Sequence, residues 1–411
     1  MKYGVIGEKL GHSFSKEIHE RLGKYEYEIK EIPADELESF IISRDFDGIN
    51  VTIPYKERVI PYLDEVSGLA EKVGAVNTIV NKDGKLYGYN TDVDGMRMLA
   101  ERMGVNMRGK TVLIAGSGGT SKTALQVARE MGADNVLRVS RSAKDGCISY
   151  EEAYADYKNA DVLINTTPVG MFPNVDGSAF DLDKFENVKA VIDAVYNPLE
   201  PELIRNAKER GIVAAGGLYM LVAQAALAAG LFCGEEIGSE KIDEIFDEIL
   251  EEKRNIVLIG MPGSGKTSIG RLLADRLGKE FIDTDDEIVK EASCEIREIF
   301  NEYGEKHFRD LESEIIRRAA LHNGRVIATG GGAVLRKENV DMLRLNGIIV
   351  LLDRTLDELM PTSDRPLADD ADKMRRLYEE RMPVYRSSAD ITVAPEGFED
   401  LAAEMVQEAL R

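Results

Sequence analysis

Two lysines stand in settings that could do chemistry. Lys266 closes the run Gly260-Met261-Pro262-Gly263-Ser264-Gly265-Lys266-Thr267, which matches G-x-x-x-x-G-K-[ST]. The preceding NIVLI reads as a buried strand and the following SIGRLLADRLG as an amphipathic helix. In that context glycines let backbone N–H groups curl around phosphates at the helix N-terminus. Lys266 reaches the β- and γ-phosphates, and the Thr267 hydroxyl binds Mg2+. The motif predicts a nucleoside triphosphate and leaves the acceptor open. Lys56 ends the run from Gly48 through Asn50, Thr52 and Pro54, a strand closed by a proline break. Gly74 to Thr78 and Gly88 to Asp92 place Asn77, Asn90 and Asp92 at further strand ends. A lysine and an aspartate converging on a carbonyl suit proton transfer beside hydride transfer.

Other groups extend both readings. In TVLIAGSGG, a strand leads into Gly116, Gly118 and Gly119, which permit a tight turn and the approach of a pyrophosphate; Ser121 takes the third fingerprint position. The next strand ends in Ser140-Arg141-Ser142, with Lys144 nearby, where an NAD site would carry an acid. Hydroxyls and a cation suit a 2′-phosphate, so NADP is preferred. Ser13 and Ser15 open a helix and could hold a carboxylate with its dipole. Asp283 and Asp285 read as two carboxylates on one side of a strand end, facing a metal and an acceptor hydroxyl. Gly330-Gly331-Gly332 follows another strand and suggests backbone close to a small ligand.

These groups need α/β scaffolds to position them. The 411 residues are 44% hydrophobic and 31% charged, enough for two or three cores. A net charge of −22 argues against nucleic acid or an anionic membrane as partner. Cys147, Cys233 and Cys294 lie far apart, and the four histidines form no ligand pair. No apolar core of signal-peptide length opens the chain, and a cytoplasmic location is expected. Residues 211–234 carry no charge for 24 positions, but Gly216-Gly217 interrupts them and alanines dominate. They read as a buried strand (Ile212–Ala215), a turn and a buried helix from about Leu218 rather than a membrane span. Ile237, Ile242, Ile245, Phe246, Ile249 and Leu250 fit one face of a helix that closes the earlier domain.

The motifs fall into two ordered sets. His12-Ser13-Phe14-Ser15, Asn50-Val51-Thr52 with Pro54 and Lys56, Gly74 to Thr78, Asn90-Thr91-Asp92, the glycine loop, Asn165 to Met171, Asp193 with Tyr196 and Pro198, and Gly217 with Gln224 form the first. Over about residues 1–250 this set resembles shikimate dehydrogenase. The resemblance implies that Ser13, Ser15 and Tyr196 hold a substrate carboxylate, and that Thr52, Asn77, Asp92 and Gln224 bind hydroxyls. Lys56 and Asp92 would form the proton-handling pair. Gly116, Gly118, Gly119, Ser140, Arg141, Ser142 and Gly217 would bind NADP(H). Lys16 stands where the family usually has proline, and Ser140 where it usually has asparagine.

The P-loop, Asp283-Thr284-Asp285, Phe308-Arg309 with Glu312, the triple glycine, Arg365-Pro366-Leu367, and Arg381 with Pro383 and Tyr385 form the second set. It resembles shikimate kinase over essentially all of 254–411. The resemblance implies ATP at Gly260, Gly263, Ser264, Gly265, Lys266 and Thr267, with Mg2+ at Thr267 and Asp283. Asp285 would orient the acceptor hydroxyl, Arg309, Arg381, Gly331 and Gly332 would hold the ring acid, and Arg365 on a lid would reach the transferred phosphate.

Together the resemblances imply an α/β fusion. Residues 1–95 with 219–250 would be the substrate-binding catalytic domain, 96–218 a Rossmann NADP domain and 254–411 a P-loop kinase domain. They imply NADPH-dependent reduction of 3-dehydroshikimate to shikimate, then phosphorylation to shikimate 3-phosphate. An NAD-dependent quinate/shikimate dehydrogenase joined to a kinase for another small polyol is the alternative, and both monomer and homodimer stay open.

Overall fold

The computed structural model describes all residues except His12, Asp145, 360–370, 395–398 and 411. Arg365 and its neighbours Pro366 and Leu367 therefore lie outside the described residues. The chain divides into two compact units, Met1–Ile249 and Leu250–Arg411.

The first unit holds two sheets. Strands β1 (Tyr3–Gly7), β2 (Tyr27–Glu31), β3 (Gly48–Val51), β4 (Glu65–Val66), β5 (Thr78–Lys82) and β6 (Lys85–Tyr89) form one, in the order β2-β1-β3-β5-β6-β4. β1 and β3 run parallel, and β5 runs antiparallel to both β3 and β6. The C-terminal ends of β1, β3 and β6 and the start of β5 therefore share one edge. Ile6, Ile49, Val51, Val76 and Ile79 pack its core. The uncharged stretch is the strand Val213–Ala215 followed by the helix Leu218–Cys233, buried along most of its length. Among the described residues no helix is long and apolar enough to cross a membrane. This helix packs against the helix Asp92–Arg102, and the contact is close at Gly95. A Cβ there would sit 2.9 Å from the Met220 carbonyl oxygen and 3.0 Å from Gln224 Cβ.

The second sheet is parallel throughout. β7 (Thr111–Ala115), β8 (Asn135–Val139), β9 (Cys147–Ile148), β10 (Val162–Asn165), β11 (Ala190–Asp193) and β12 (Val213–Ala215) take the order β12-β11-β10-β7-β8-β9. The chain starts at β7, moves outward through β8 and β9, and returns to β10 on the other side. The reversal opens a crevice at the C-terminal ends of β7 and β10, where ligands of doubly wound sheets bind.

The second unit is built on β13 (Asn255–Ile259), β14 (Glu280–Asp283), β15 (Arg325–Ala328), β16 (Gly347–Leu352) and β17 (Ile391–Val393), all parallel in the order β14-β15-β13-β16-β17. Alternate residues of its central strands feed two cores. Val257, Ile259, Ile327 and Ile349 face one way, and Ile256, Leu258, Val326 and Val350 the other. Burial on both faces explains the unbroken apolar runs.

Two sequence expectations are corrected. Ile237 precedes the helix Ser239–Lys253, whose buried face is Ile242, Ile245 and Ile249. Asp283 and Asp285 do not share a strand end. β14 stops at Asp283, which caps the helix Thr284–Ala292 by accepting from the Asp285 N–H, so Asp285 lies in the first helical turn. A four-residue strand leaves the helix to begin between the two acids.

His19 is fully buried, stacked 3.9 Å from the Tyr27 ring, with Nδ1 2.7 Å from the Tyr25 hydroxyl. Burial lowers its pKa from 6.5 to about 3, against a weaker pull from Asn50. A lowered folded-state pKa means the unfolded chain takes up the proton first. The stability His19 contributes is thus complete above pH 6.5 and is lost progressively toward about 3. Urea denaturation of the full chain, followed by tyrosine fluorescence, should show a steeper loss of stability over that window than in His19→Phe. Parallel curves would contradict the assignment.

Candidate active sites

The shared edge of the first sheet gathers the lysine and the acid. Lys56 follows β3, and its Nζ donates to Asp92 Oδ2 at 2.5 Å. Asp92 opens the helix Asp92–Arg102, where its charge also meets the positive end of the helix dipole. Asn77, at the start of β5, donates through Nδ2 to Asp92 Oδ1 at 2.9 Å, to Thr91 Oγ1 at 2.9 Å and to Gln224 Oε1 at 3.3 Å. Asn77 Oδ1 accepts from the Thr91 N–H at 2.7 Å, which sets the amide's orientation. The Lys56 and Asp92 side chains are only 14% and 7% exposed. Removing one partner of so buried a pair costs about 3–5 kcal/mol. After β1, the Ser13 and Ser15 hydroxyls lie 3.0 Å apart at the start of the helix Ser15–Leu22. Tyr196 hydrogen-bonds Ser13, and its ring lies 5.3 Å from Phe14. Thr52 follows β3, where its N–H donates to the Ile6 carbonyl at 3.0 Å.

The glycine loop lies against this edge. A Cβ at Gly119 would sit 3.7 Å from Lys56 Cβ and Cδ, and Lys122 Nζ pairs with Glu57 Oε2 at 2.8 Å. Gly116, at φ +122°, packs on Thr166, while Gly118 faces open space. The helix Gly119–Glu130 has no side-chain cap at its N-terminus. Its first N–H groups can thus donate to a bound anion. Ser140 Oγ is buried without a hydrogen-bond partner, and Arg141 and Ser142 are exposed beside it. An uncapped helix start, open space at Gly118 and an orphaned hydroxyl fit a dinucleotide with a 2′-phosphate. Gly217 follows the edge strand β12: a side chain there would strike the Ala194 backbone, and its N–H donates to the Val195 carbonyl at 2.8 Å.

In the second unit, Gly260, Gly263 and Gly265 take φ of +148°, +82° and +90°, which curls the loop after β13. Lys266 Nζ lies over the loop, donating to the Gly260 and Met261 carbonyls at 2.9 and 3.0 Å. Ser264 Oγ is buried without a partner, and the helix Lys266–Leu277 lacks a side-chain cap. This cradle fits a polyphosphate. Thr267 Oγ1 donates to Asp283 Oδ2 at 2.6 Å. Two protein oxygens are what a Mg2+ site completed by phosphates and water would use.

The triple glycine draws the remaining groups together. A Cβ at Gly330 would meet Asp285 Oδ1 at 2.6 Å and Glu312 Oε1 at 2.8 Å, and one at Gly332 would strike the Arg309 guanidinium. Arg309 Nη1 donates to Glu312 Oε2 at 2.7 Å, and Arg381 Nη1 to the Gly331 carbonyl at 3.1 Å. Tyr385 donates its hydroxyl to the same carbonyl. Arg309 and Arg381 are 8% and 7% exposed. Burial pushes the Glu312 carboxyl up, Asp285 adds to this, and Arg309 opposes it. The result is a cluster of two cations and two acids packed around the triple-glycine backbone.

Sequence reasoning assigned no role to Glu312, Tyr385, Asn50 or Thr78. Glu312 had a signal, its i,i+3 spacing from Arg309 on one helix. Asn50 and Thr78 stand behind Asn77. Tyr27 donates to Asn50 Oδ1 at 2.7 Å, Asn50 Nδ2 donates to Thr78 Oγ1 at 3.1 Å, and Thr78 to Asn77 Oδ1 at 3.1 Å.

Known proteins match both units. Residues 5–79 match the family model of the shikimate dehydrogenase substrate binding domain, and 262–411 that of shikimate kinase. A shikimate dehydrogenase (NADP(+)) of Clostridium perfringens is 36% identical over 270 residues, spanning 60% of this chain and 97% of its own. The crystal structure of shikimate dehydrogenase 1 from Peptoclostridium difficile superposes with a TM-score of 0.57 at 36% identity, over 61% of this chain and 98% of that one. Shikimate 5-dehydrogenase from Thermus thermophilus, solved in complex with NADP(H) and shikimate, gives 0.54 at 30% identity, over 60% and 99%. The chain belongs to the shikimate dehydrogenase family across its N-terminal unit, continues into a shikimate kinase domain, and so joins an NADP-dependent dehydrogenase and a kinase of the shikimate pathway in one polypeptide.

Proposed function

We propose that the N-terminal unit reduces the ketone of 3-dehydroshikimate to shikimate, and that the C-terminal unit phosphorylates shikimate to shikimate 3-phosphate. The observation that carries the reading is the buried Lys56–Asp92 pair, held at 2.5 Å beneath the glycine loop. Residues 1–95 with 219–250 bind the substrate and 96–218 bind NADPH, which supplies the hydride when bound. Ser13, Ser15 and Tyr196 hold the carboxylate, and Thr52, Asn77 and Gln224 hold ring hydroxyls. Lys56 donates its proton to the oxygen as alkoxide character develops. Asp92 keeps the ammonium aimed there and stabilises it. The Thermus thermophilus complex with NADP(H) and shikimate supports the choice of ligands. The basic, hydroxyl-bearing Ser140-Arg141-Ser142 turn supports NADP over NAD.

In 254–411, Arg309 and Arg381 grip the ring carboxylate against Gly331 and Gly332, and Asp285 orients the acceptor hydroxyl. Bound ATP with Mg2+ supplies an activated phosphoryl group; Thr267 and Asp283 would hold the ion. Lys266 and Arg365 neutralise charge on the phosphates. Positioning and electrostatics then do most of the work, as phosphoryl transfer requires.

Three outcomes follow. Lys56→Ala should lower shikimate oxidation by about 10²- to 10⁴-fold and spare phosphorylation, with Lys266→Ala doing the reverse. Steady-state assays of both reactions on each variant check this, and loss of both activities without unfolding would refute independent sites. Chelation should stop the kinase and leave the dehydrogenase running, and Asp283→Ala should raise the Mg2+ needed for half-maximal phosphorylation about tenfold or more. Arg141→Ala should raise KM for NADP about tenfold, the worth of a bond to a charged group, with KM for NAD unmoved. Equal effects on the two cofactors would remove Arg141 from the 2′-phosphate.

A further inference from the structure

We propose that Asp193 is a positioning residue of the dehydrogenase site. From the end of β11 its carboxyl group fastens two neighbouring turns at once and so sets where the Tyr196 hydroxyl meets Ser13. The proposal rests on the reading of Tyr196 and Ser13 as carboxylate-binding groups.

Asp193 is fully buried and pairs in register with Asn165 at the end of β10. Its Oδ1 accepts from Asn165 Nδ2 at 2.9 Å and from the Val195 N–H at 2.9 Å. Each bond fixes a different element. Asn165 Oδ1 in turn accepts from the Thr167 N–H at 2.9 Å and its hydroxyl at 2.7 Å, which shapes the turn beside Gly116. Val195 begins the turn that carries Tyr196. That turn is pinned again where the Val195 carbonyl accepts from Gly217 N–H at 2.8 Å and where Gly217 abuts the Ala194 backbone. Tyr196 leaves this turn to reach Ser13 and to lie against Phe14. One carboxyl oxygen thus ties the cofactor side of the crevice to the serine pair on the other sheet.

The second oxygen is unusual. Asp193 Oδ2 is buried with no hydrogen-bond partner, and so is Asn197 Oδ1 on the same turn. The groups acting on the acid are burial, the Val195 N–H and the Asn165 amide, and no charged side chain is among them. The titratable group on the turn itself is Tyr196, which burial raises and the Ser13 bond lowers. Burial outweighs the two donors and lifts Asp193 from 3.8 to about 7. Below that value the acid is neutral and Oδ2 carries a proton. Above it, charge falls on an oxygen that has no hydrogen-bond donor among the described residues, which disfavours the closed turn. The sign is that of a raised folded-state pKa: the stabilising contribution is lost as the pH rises from 3.8 through about 7.

The test uses the full chain, with the kinase reaction as an internal control. Asp193→Ala should raise KM for shikimate about tenfold near neutral pH and change the dehydrogenase kcat less than about threefold. Asp193→Asn keeps the Oδ1 acceptor and cannot ionise. It should restore KM to within about threefold, and the ratio of wild-type KM to that of Asp193→Asn should climb between about pH 6 and about pH 9. A flat ratio over that range overturns the proposal, even if Asp193→Ala does not fold. A loss in Asp193→Ala carried by kcat alone, unrescued by Asp193→Asn, also overturns it. Tyr196→Phe separates this from the parent reading. If it leaves KM for shikimate unchanged, the role of Tyr196 fails; if it raises KM and Asp193→Ala does not, only the present inference fails.

Discussion

A parallel strand cannot turn back on itself; its chain must cross the face of the sheet before the next strand begins. That constraint puts the C-terminal ends of parallel strands on one edge. In this molecule the groups able to do chemistry stand on such edges. The serine pair follows β1, Lys56 follows β3 and Asp92 follows β6, while Asn77 reaches the same edge because β5 runs the other way. The glycine loop follows β7, the P-loop follows β13 and the triple glycine follows β15. Helices beginning there add uncapped N–H groups, so the scaffold supplies anion-binding capacity before any side chain is counted.

A second constraint is electrostatic. The chain carries a net charge of −22, yet the ligands it is read to bind are carboxylates and phosphates. Its answer is local. Lys56, Lys266, Arg309 and Arg381 are each withdrawn from solvent and each engaged, by Asp92, by loop carbonyls, by Glu312 and by the Gly331 carbonyl respectively. Low exposure strengthens each cation's reach to a bound anion, and the partner keeps it from being an uncompensated buried charge. The surplus acids lie mostly on solvated faces, where screening weakens them over about 8–10 Å.

Much of this was readable from residue order. The P-loop announced itself because glycine spacing, strand and helix agree within about twenty residues. Lys56 and Asp92 were readable as a pair because each closes a strand-like run. The relation of Asp283 to Asp285 was misread, since a rule for strands was applied across a point where β14 had already given way to a helix. Glu312 and Asp193 lay in motifs that were noticed but carried no role. Their significance is burial and partnership: each has a partner nearby in sequence, but the approach of Glu312 to Gly330 and the Asn165–Asp193 bond join residues on different elements, which local pattern does not show. Tyr196 against Ser13 is a contact between different sheets, and local pattern says nothing about it.

The approach of the two helices at Gly95 has a reach beyond packing. Gln224 meets Asn77 across 147 positions of sequence, and Gly95 lets the helix that carries Gln224 pack closely against the helix that Asp92 opens. A hydrogen atom in place of a methyl group at position 95 acts as the spacer for that approach. Under the proposed roles of Gln224 and Asn77, selectivity among ring hydroxyls would be gauged at a backbone that faces no ligand, and a side chain at position 95 would alter it while every pocket-lining side chain stays the same.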